Sequence, residues 1–413
     1  MEESRSSLIA TSLGHFINDG LTGVLPLMYP VFVASYGLSL QTISVLAFLQ
    51  SAFSIFVSPL VGRISDARGN FGTMIALGLV LFALGTGGYA VSALFSGGTV
   101  LLILLLVFTF MIGVGSSFYH PLGATVLRAK WRAQDLGGAL GINGSAGSVG
   151  RIAMPVAAAV LIAGVSLAST GVLAILSIAG ALAILGILAR MKFTATRVEA
   201  NGNFIRSMLP PRRLASKLSS LTVVSFSRGL FTGVLPFIPL YLTQVDNYST
   251  LQAGFLYSAT LGMGIPSTII FGFLQDRIGA KSSITISNIG GLISLFGFAL
   301  GQNPGVVEAA LLLFGFFSYS AFSLLLGMVH DLTQYGEMTS GGALVWGVGN
   351  TGGSAAAPLL IGLLALPSFF GSLTAGFVAA GIIGIPSVVM MPLIHVNPVT
   401  ERTEGSEVPA SDS

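Results

Sequence analysis

Three polar side chains near the start of the sequence stand within a long apolar stretch. His15, Asn18 and Asp19 are spaced i, i+3 and i+4, which places them on one face of a helix. Polar groups of this kind are costly in lipid, so they are expected to face a protein interior or a water-filled cavity. The imidazole titrates near neutral pH, and either it or the carboxylate could bind a proton. This face predicts a site for a proton or a substrate; a polar cluster that only joins helices is the alternative.

Two arginines also fall inside apolar stretches. A guanidinium keeps its proton, so Arg151 and Arg228 each need a counter-ion or an anionic substrate. We expect Arg151 to lie beside a substrate anion or His120, or else to make a structural ion pair or extend its charged end to the membrane surface.

A third group of candidates lies near a proline and in the second half of the chain. In the string Tyr119-His120-Pro121, the proline removes a backbone donor and predicts a bend. His120 is then a second titratable candidate, or a histidine that only bonds carbonyls freed at the bend. Trp346 and Asn350 are one helical turn apart and could line a cavity.

The composition defines the setting of these residues. The chain has 413 residues, of which 8% are charged and 53% are hydrophobic, whereas soluble domains are about 25% charged. The sequence therefore predicts an integral membrane protein. There is no Cys, and the four histidines predict no metal site. The motifs GxxxxGK[ST], HExxH and GxSxG do not occur, so neither an enzyme nor a cofactor is expected.

Apolar segments long enough to cross a bilayer occur twelve times, which predicts an all-α fold of twelve transmembrane helices. They span about 8–35, 41–62, 71–95, 99–127, 136–164, 167–190, 217–244, 250–273, 282–301, 305–330, 340–366 and 370–395. With a cytoplasmic N-terminus, every Lys and Arg except Arg151 and Arg228 lies on the cytoplasmic side. We expect both termini in the cytoplasm and the protein in the cell (inner) membrane. The net charge of +3 reflects this topology, so nucleic acid is not an expected partner.

An internal repeat divides the chain. The string TGVLP at 22–26 recurs at 232–236, and the pattern GxxxDxxG at 62–69 recurs at 272–279, both 210 residues later. This predicts two pseudo-twofold-related six-helix bundles with a site between them. Four parts are expected. They are an N-terminal bundle at 1–190, a cytoplasmic linker at 191–216, a C-terminal bundle at 217–395 and a disordered cytoplasmic tail at 396–413. Because one chain contains both bundles, a monomer would suffice to form the site between them.

The repeat also predicts a partner for Arg228. This arginine lies 210 residues after Asn18, one place before the equivalent of Asp19. We expect Asp19 and Arg228 to meet near the pseudo-twofold axis and to pair in one conformation. A static buried salt bridge is the alternative.

The segment 272–281, GFLQDRIGAK, resembles the loop signature GxxxDRxGxK of the major facilitator superfamily, and the copy at 62–69 departs from it by placing Arg one position later. With twelve spans and the repeat, the resemblance covers nearly the whole chain. It implies contacts that latch the bundles in one state and break in another; a solvated loop is the alternative. The residues concerned are Gly62, Asp66, Arg68, Gly272, Asp276 and Arg277.

Within that superfamily, the strings GHFINDGLTGVLPLMYP at 14–30 and GSSFYHPLGA at 115–124 resemble exporters of the fosmidomycin-resistance type. The resemblance implies a secondary transporter that exports a small anionic or amphipathic organic solute by proton-coupled antiport. Neighbouring branches import or exchange organic anions, so uptake or exchange of a carboxylate or phosphonate-like anion is the alternative. A non-transporting scaffold with a dry interface between the bundles is a third possibility. The expected partners are the solute, protons and the lipid bilayer.

Overall fold

The computed structural model describes residues 2–95, 98–193, 212–333 and 338–395, and these residues form an all-helical fold. Six membrane helices come from the first half of the chain: α1 Glu2–Tyr36, α2 Leu40–Arg68, α3 Phe71–Ser92, α4 Gly98–Lys130, α5 Ala133–Gly164 and α6 Leu167–Leu188. Helix α4 is broken between Ser116 and Tyr119. Residues 194–211 of the predicted linker at 191–216 and the whole tail at 396–413 lie outside the described residues.

The second half supplies six more helices after the short helix Arg212–Lys217. They are α7 Ser219–Gln244, α8 250–278, α9 280–300, α10 Pro304–Leu332, α11 338–364 and α12 Leu373–Leu393. Helix α10 is broken between Ser318 and Ala321, and α11 contains a π-helical stretch, Ala343–Thr351.

The predicted twelve helices are confirmed. In the described part of the chain, ten continuous helices are long and apolar enough to span a membrane. One of them, Thr250–Leu300, has 51 residues and is divided into α8 and α9 at Gly279. Helix α11 is divided into segments of 5, 9 and 13 residues, so it is not among the ten. Counting α8 and α9 separately and adding α11 gives twelve crossings in two bundles of six.

The repeated loop pattern has a conformational basis at its last glycine. Gly69 has φ 65° and Gly279 has φ 81°, a region that favours glycine because a Cβ is strained there. Gly69 ends α2, and its N–H donates to the carbonyl of Ser65. The two positions are 210 residues apart, so the repeat places a glycine with positive φ at the same point of each bundle, although ψ is 19° at Gly69 and 161° at Gly279.

The two bundles pack against each other mainly at the end opposite the N-terminus. At this closed end, the Gln41 side chain donates to the carbonyl of Gly362 at 3.1 Å, joining α2 to α11. Gly254 of α8 lies against Ala159 of α5, too close for any side chain at residue 254. Deeper in the molecule, Gly262 of α8 meets the Ile152 side chain. These contacts close one end of the molecule. They also place the part of α5 around Ile152 beside the second bundle.

Candidate functional site

The carboxylate of Asp19 is the centre of a cluster of charged groups. It is only 4% exposed, and Nη1 of Arg151 donates to its Oδ2 at 2.5 Å. Nε2 of His15 lies 3.3 Å from Oδ2, and Nε2 of His120 lies 3.4 Å from Oδ1. The amide of Asn18 donates to Oδ1 at 3.1 Å. The structure therefore brings together residues of α1, α4 and α5 that are up to 136 positions apart in sequence.

Glycines on α5 permit this approach. A Cβ at Gly147 would overlap the imidazole of His15, and one at Gly150 would overlap the carbonyl oxygen of Phe16. Small residues on one stripe of a membrane helix let a neighbouring backbone come close. The stripe brings α1 near enough to α5 for Arg151 to reach Asp19.

Hydrogen bonds around His15 set which of its nitrogens carries a proton. Nδ1 lies 2.9 Å from Oδ1 of Asn143, which only accepts, so Nδ1 is the donor. The Asn143 amide is oriented by donating to the hydroxyl of Tyr119 at 2.8 Å, and that hydroxyl donates to the carbonyl of Thr11 at 2.6 Å. Nε2 lies 3.3 Å from Oδ2 of Asp19, so this contact is a hydrogen bond when Nε2 carries a proton and brings two acceptors together when it does not.

The guanidinium of Arg151 connects the cluster to the second bundle. Its Nη2 donates to the hydroxyl of Ser148 at 3.0 Å, and its Nε has no partner among the described residues. The ring of Tyr319, from α10, lies 5.4 Å from the guanidinium carbon. The side chains of Arg151 and His120 are 27% and 60% exposed, so the cluster is accessible from the space around it.

Arg228 does not pair with Asp19, and that expectation is wrong for this structure. Arg228 is completely buried within the second bundle, where it donates to the amide oxygen of Asn288 and to the carbonyls of Phe317 and Ser318. The carbonyls at the end of a helical segment carry partial negative charge, which compensates a cation. Helix α7 therefore turns Arg228 towards the break in α10 and away from the first bundle.

Trp346 and Asn350 both lie in the π-helical stretch of α11. Trp346 packs edge-on against Phe322, with ring centroids 4.9 Å apart. Asn350 is buried, and its Oδ1 has no partner in the described part of the chain. No hydrogen bond among the described residues joins either side chain to Asp19. Their assignment to the site stays a prediction.

The predicted latch residues lie at the open end of the bundles. A Cβ at Gly62 or Gly272 would meet no atom within 4 Å, and Arg68, Asp276 and Arg277 are exposed. Among the described residues, the side chains of Asp276 and Arg277 make no hydrogen bond or ion pair. The Asp66 side chain lies outside the described residues, so the latch stays a prediction for another conformation.

The cluster also contains three potential metal ligands. Ligand atoms of His15, Asp19 and His120 all lie within 4.8 Å of one another, although the sequence shows these histidines far apart. Arg151 donates to the same carboxylate, and its positive charge opposes a cation at this point. The geometry is therefore better suited to an anion or a proton than to a metal ion.

Asn143, Ser148 and Tyr319 belong to the cluster but were not predicted. Asn143 and Ser148 precede Arg151 by eight and three residues, spacings that place all three near one face of α5. That spacing could have identified them. Nothing in the sequence relates Tyr319 to Arg151, because this contact depends on how the two bundles pack.

Comparison with known proteins agrees with the fold. The chain is 27% identical over 336 residues to the fosmidomycin resistance protein of Escherichia coli (strain K12), covering 78% of each chain. It is 26% identical over 367 residues to the uncharacterized MFS-type transporter YfnC of Bacillus subtilis (strain 168), covering 86% of each.

Solved transporter structures share the architecture at low sequence identity. A bacterial homologue of the human lysosomal transporter Spinster, in an inward-facing and occupied conformation, has a TM-score of 0.73 and 13% identity, with 94% of this chain and 96% of that chain covered. A D-xylose-proton symporter has a TM-score of 0.72 and 16% identity, with 96% and 98% covered. The family model of the Major Facilitator Superfamily matches residues 11–350. The chain is a multi-pass membrane protein that belongs to the major facilitator superfamily.

Proposed function

We propose that the chain is a secondary active transporter that moves a small organic anion across the cell (inner) membrane by alternating access and couples it to protons. The observation that carries this proposal is the Asp19–Arg151 ion pair, which lies between two histidines and beside the second bundle. A scaffold would suit a dry, purely apolar interface, whereas charged and polar side chains surround these residues.

Asp19 and His15 form the proposed proton site. Because Nδ1 of His15 donates to Asn143, the Nε2 lone pair of the neutral ring faces the carboxylate at 3.3 Å. A proton between these two acceptors would remove their repulsion. It would also weaken the hold of Asp19 on Arg151, since a protonated carboxyl attracts a guanidinium less strongly.

Arg151 is the proposed anion site. Its guanidinium has donors in a fixed plane and the side chain is part-exposed, although its Nε is itself buried, with no partner among the described residues. Carboxylates and phosphonates match this planar donor set. Asp19 already occupies Nη1, so an incoming anion competes with it. The site therefore has one cation for which a resident carboxylate and a transported acid compete.

Two directions of transport follow from different observations. Export is supported by the similarity to the fosmidomycin resistance protein, and an exporter driven by protons must release a proton when it binds its solute. The ion pair favours the alternative, uptake with protons moving in the same direction. Protonation of Asp19 frees Arg151, so a proton and an anion should bind together.

The proposed orientation follows the distribution of basic residues. With both termini in the cytoplasm, the closed end of the bundles lies outside and the structure is inward-facing. The proposed parts are bundles at 1–190 and 217–395, the cytoplasmic linker at 191–216 and the cytoplasmic tail at 396–413. One chain contains both bundles, so a monomer suffices.

A flux assay in proteoliposomes tests the proposal. Purified protein would be given radiolabelled phenylphosphonate, methylphosphonate and succinate, with an imposed pH gradient of either sign and without one. We expect at least one anion to move faster than in protein-free vesicles and to respond to the gradient. Accumulation of the anion on the alkaline side supports its movement together with protons. Accumulation of the anion on the acidic side supports its exchange for protons. Transport that ignores the pH gradient would contradict proton coupling.

A matched pair of arginine variants controls this assay. Arg151→Gln should abolish transport because the anion site is lost. Arg132→Gln removes an exposed arginine that pairs with Asp135 at 2.6 Å, and it should transport normally. Equal loss in both variants would indicate a general effect of charge and would contradict the assignment of Arg151.

A further inference from the structure

We propose that Tyr319 of the second bundle is a positioning residue for Arg151, which it holds towards the space between the bundles by a cation–π contact. The inference rests on the proposed function of Arg151 as the anion site. It gives the second bundle a defined part in a site whose charged groups all come from the first.

The contact joins the two bundles at the level of the charge cluster. The guanidinium carbon of Arg151 lies 5.4 Å from the centroid of the Tyr319 ring, within the usual range of cation–π attraction. The ring supplies no proton and no formal charge. This attraction therefore persists when Asp19 is protonated, which is when the ion pair from Asp19 is weakened.

The position of Tyr319 is set by the break in α10. The first segment of α10 ends at Ser318 and the second begins at Ala321, so Tyr319 lies in the break itself. Arg228 donates to the carbonyl of Phe317 at 2.7 Å and to that of Ser318 at 3.3 Å. These bonds tie the residues immediately before Tyr319 to α7.

Helix α8 leaves room for the ring. A Cβ at Gly264 would lie 3.0 Å from Cγ of Tyr319, so a larger residue there would push the ring. The neighbouring Gly262 meets Ile152, the residue after Arg151. The aromatic ring is thus directed at Arg151 by a fixed backbone break on one side and a glycine on the other.

Helix α4 of the first bundle is broken at the matching place. Its segments are separated by Ser117 and Phe118, and His120 is the second residue after this break. The broken helix of each bundle therefore presents one ring to the Asp19–Arg151 pair. His120 approaches the carboxylate, and Tyr319 approaches the guanidinium.

A ligand-free double-mutant cycle tests the contact itself. The melting temperatures of Tyr319→Leu, Arg151→Gln and the double variant would be compared with wild type in the same lipid nanodiscs. We expect the double variant to lose less stability than the two single variants added together, because both single changes remove one shared contact. Strictly additive losses would overturn the inference, whatever the transport assays show.

Transport of phenylphosphonate tests the positioning role. Tyr319→Leu should raise KM about tenfold with kcat nearly unchanged, a size between those expected for exposed and for desolvated cation–π contacts. Tyr319→Phe keeps the ring and should restore the wild-type KM. A normal KM in Tyr319→Leu, or a KM in Tyr319→Phe as high as in Tyr319→Leu, would overturn the inference.

The two proposals fail in distinguishable ways. If wild type carries none of the three panel anions although the cycle shows coupling, the proposed function is wrong and the positioning role falls with it. If wild type transports an anion and the cycle is additive, only the role of Tyr319 is wrong.

Discussion

At the scale of single residues, the two arginines within the helices show two ways of holding a cation away from bulk water. Arg151 has a carboxylate partner and remains 27% exposed. Arg228 is fully buried, and in the described chain its hydrogen-bond partners are an amide oxygen and two helix-end carbonyls. The first arrangement can exchange partners, whereas the second stabilises a break in a helix.

The sequence predicted some of these residues and could not predict others. The i, i+3, i+4 spacing placed His15, Asn18 and Asp19 on one face, and they do share it. Whether Arg151 or Arg228 would reach Asp19 depended on the rotation of α5 and α7, which the repeat does not determine. Pairing across helices is set by packing, so residue spacing within one helix cannot reveal it.

A carboxyl group outside the membrane helices gives a prediction for pH. Asp246 lies between α7 and α8, its Oδ2 is buried without a partner in the described part, and burial raises its pKa to about 6. The folded protein thus favours the protonated form. This stabilisation is complete below the ordinary pKa of 3.8 and is lost as the pH rises through about 6.

Asp246→Asn should therefore raise the melting temperature at pH 8 and leave it nearly unchanged at pH 4. Because the carboxyl is only partly buried, we expect a gain of about 1 kcal/mol. Differential scanning fluorimetry across pH 4–8 measures this. The control is Asp135→Asn, at an exposed ion pair with Arg132. An equal gain at both pH values would contradict the burial of Asp246 as the cause.

At the scale of helices, a proline marked a bend correctly but not its position. The string around Pro121 predicted a bend, and α4 is broken at Ser117 and Phe118, one turn earlier. Pro121 is the third residue of the segment that begins at Tyr119, where a missing N–H costs little because it has no helical partner. The equivalent break in α10 has no proline and could not be predicted from this signal.

The contact between α1 and α5 gives a prediction with a control on the same helix. Gly150→Ala would drive a Cβ into the carbonyl oxygen of Phe16 and should cost about 1–3 kcal/mol. At Gly144 the space is open within 4 Å, so Gly144→Ala should be neutral or slightly stabilising.

Melting temperatures in nanodiscs and phenylphosphonate transport measure both glycine variants. We expect Gly150→Ala to lose stability and transport together, because Asp19 and Arg151 would be moved apart. If the two variants behaved alike, helix propensity rather than close packing would determine the effect.

At the scale of the whole molecule, length and hydropathy were sufficient for the number of helices. The 210-residue repeat was sufficient for the two bundles, because a glycine with positive φ recurs at Gly69 and Gly279. Neither signal indicates which end of the bundles is closed. The relative free energies of the open and closed arrangements depend on small differences between interfaces, so the conformation could not be read from the sequence.

The closed end gives a prediction for alternating access. An added Cβ at Gly362 would lie 3.6 Å from the Cα of Gln41 and 2.6 Å from the Ser44 side chain. Gln41→Cys with Gly362→Cys, in a Ser44→Gly background, should form a disulfide between the bundles. The chain has no Cys of its own, so a disulfide could form only at the introduced cysteines.

The oxidised protein should not transport, and a reductant should restore transport. Each single cysteine in the same Ser44→Gly background is the control and should be insensitive to oxidant. Normal transport by the fully cross-linked protein would contradict opening at this end.

The central claim is that Asp19 links proton binding to the anion site at Arg151. Equilibrium binding of radiolabelled phenylphosphonate to purified protein, measured from pH 5.5 to pH 8 with wild type and Asp19→Asn, tests it most directly. Lowering the pH should tighten binding to wild type relative to Asp19→Asn, a comparison in which the titration of the phosphonate itself cancels. The same pH dependence in wild type and in Asp19→Asn would contradict this link.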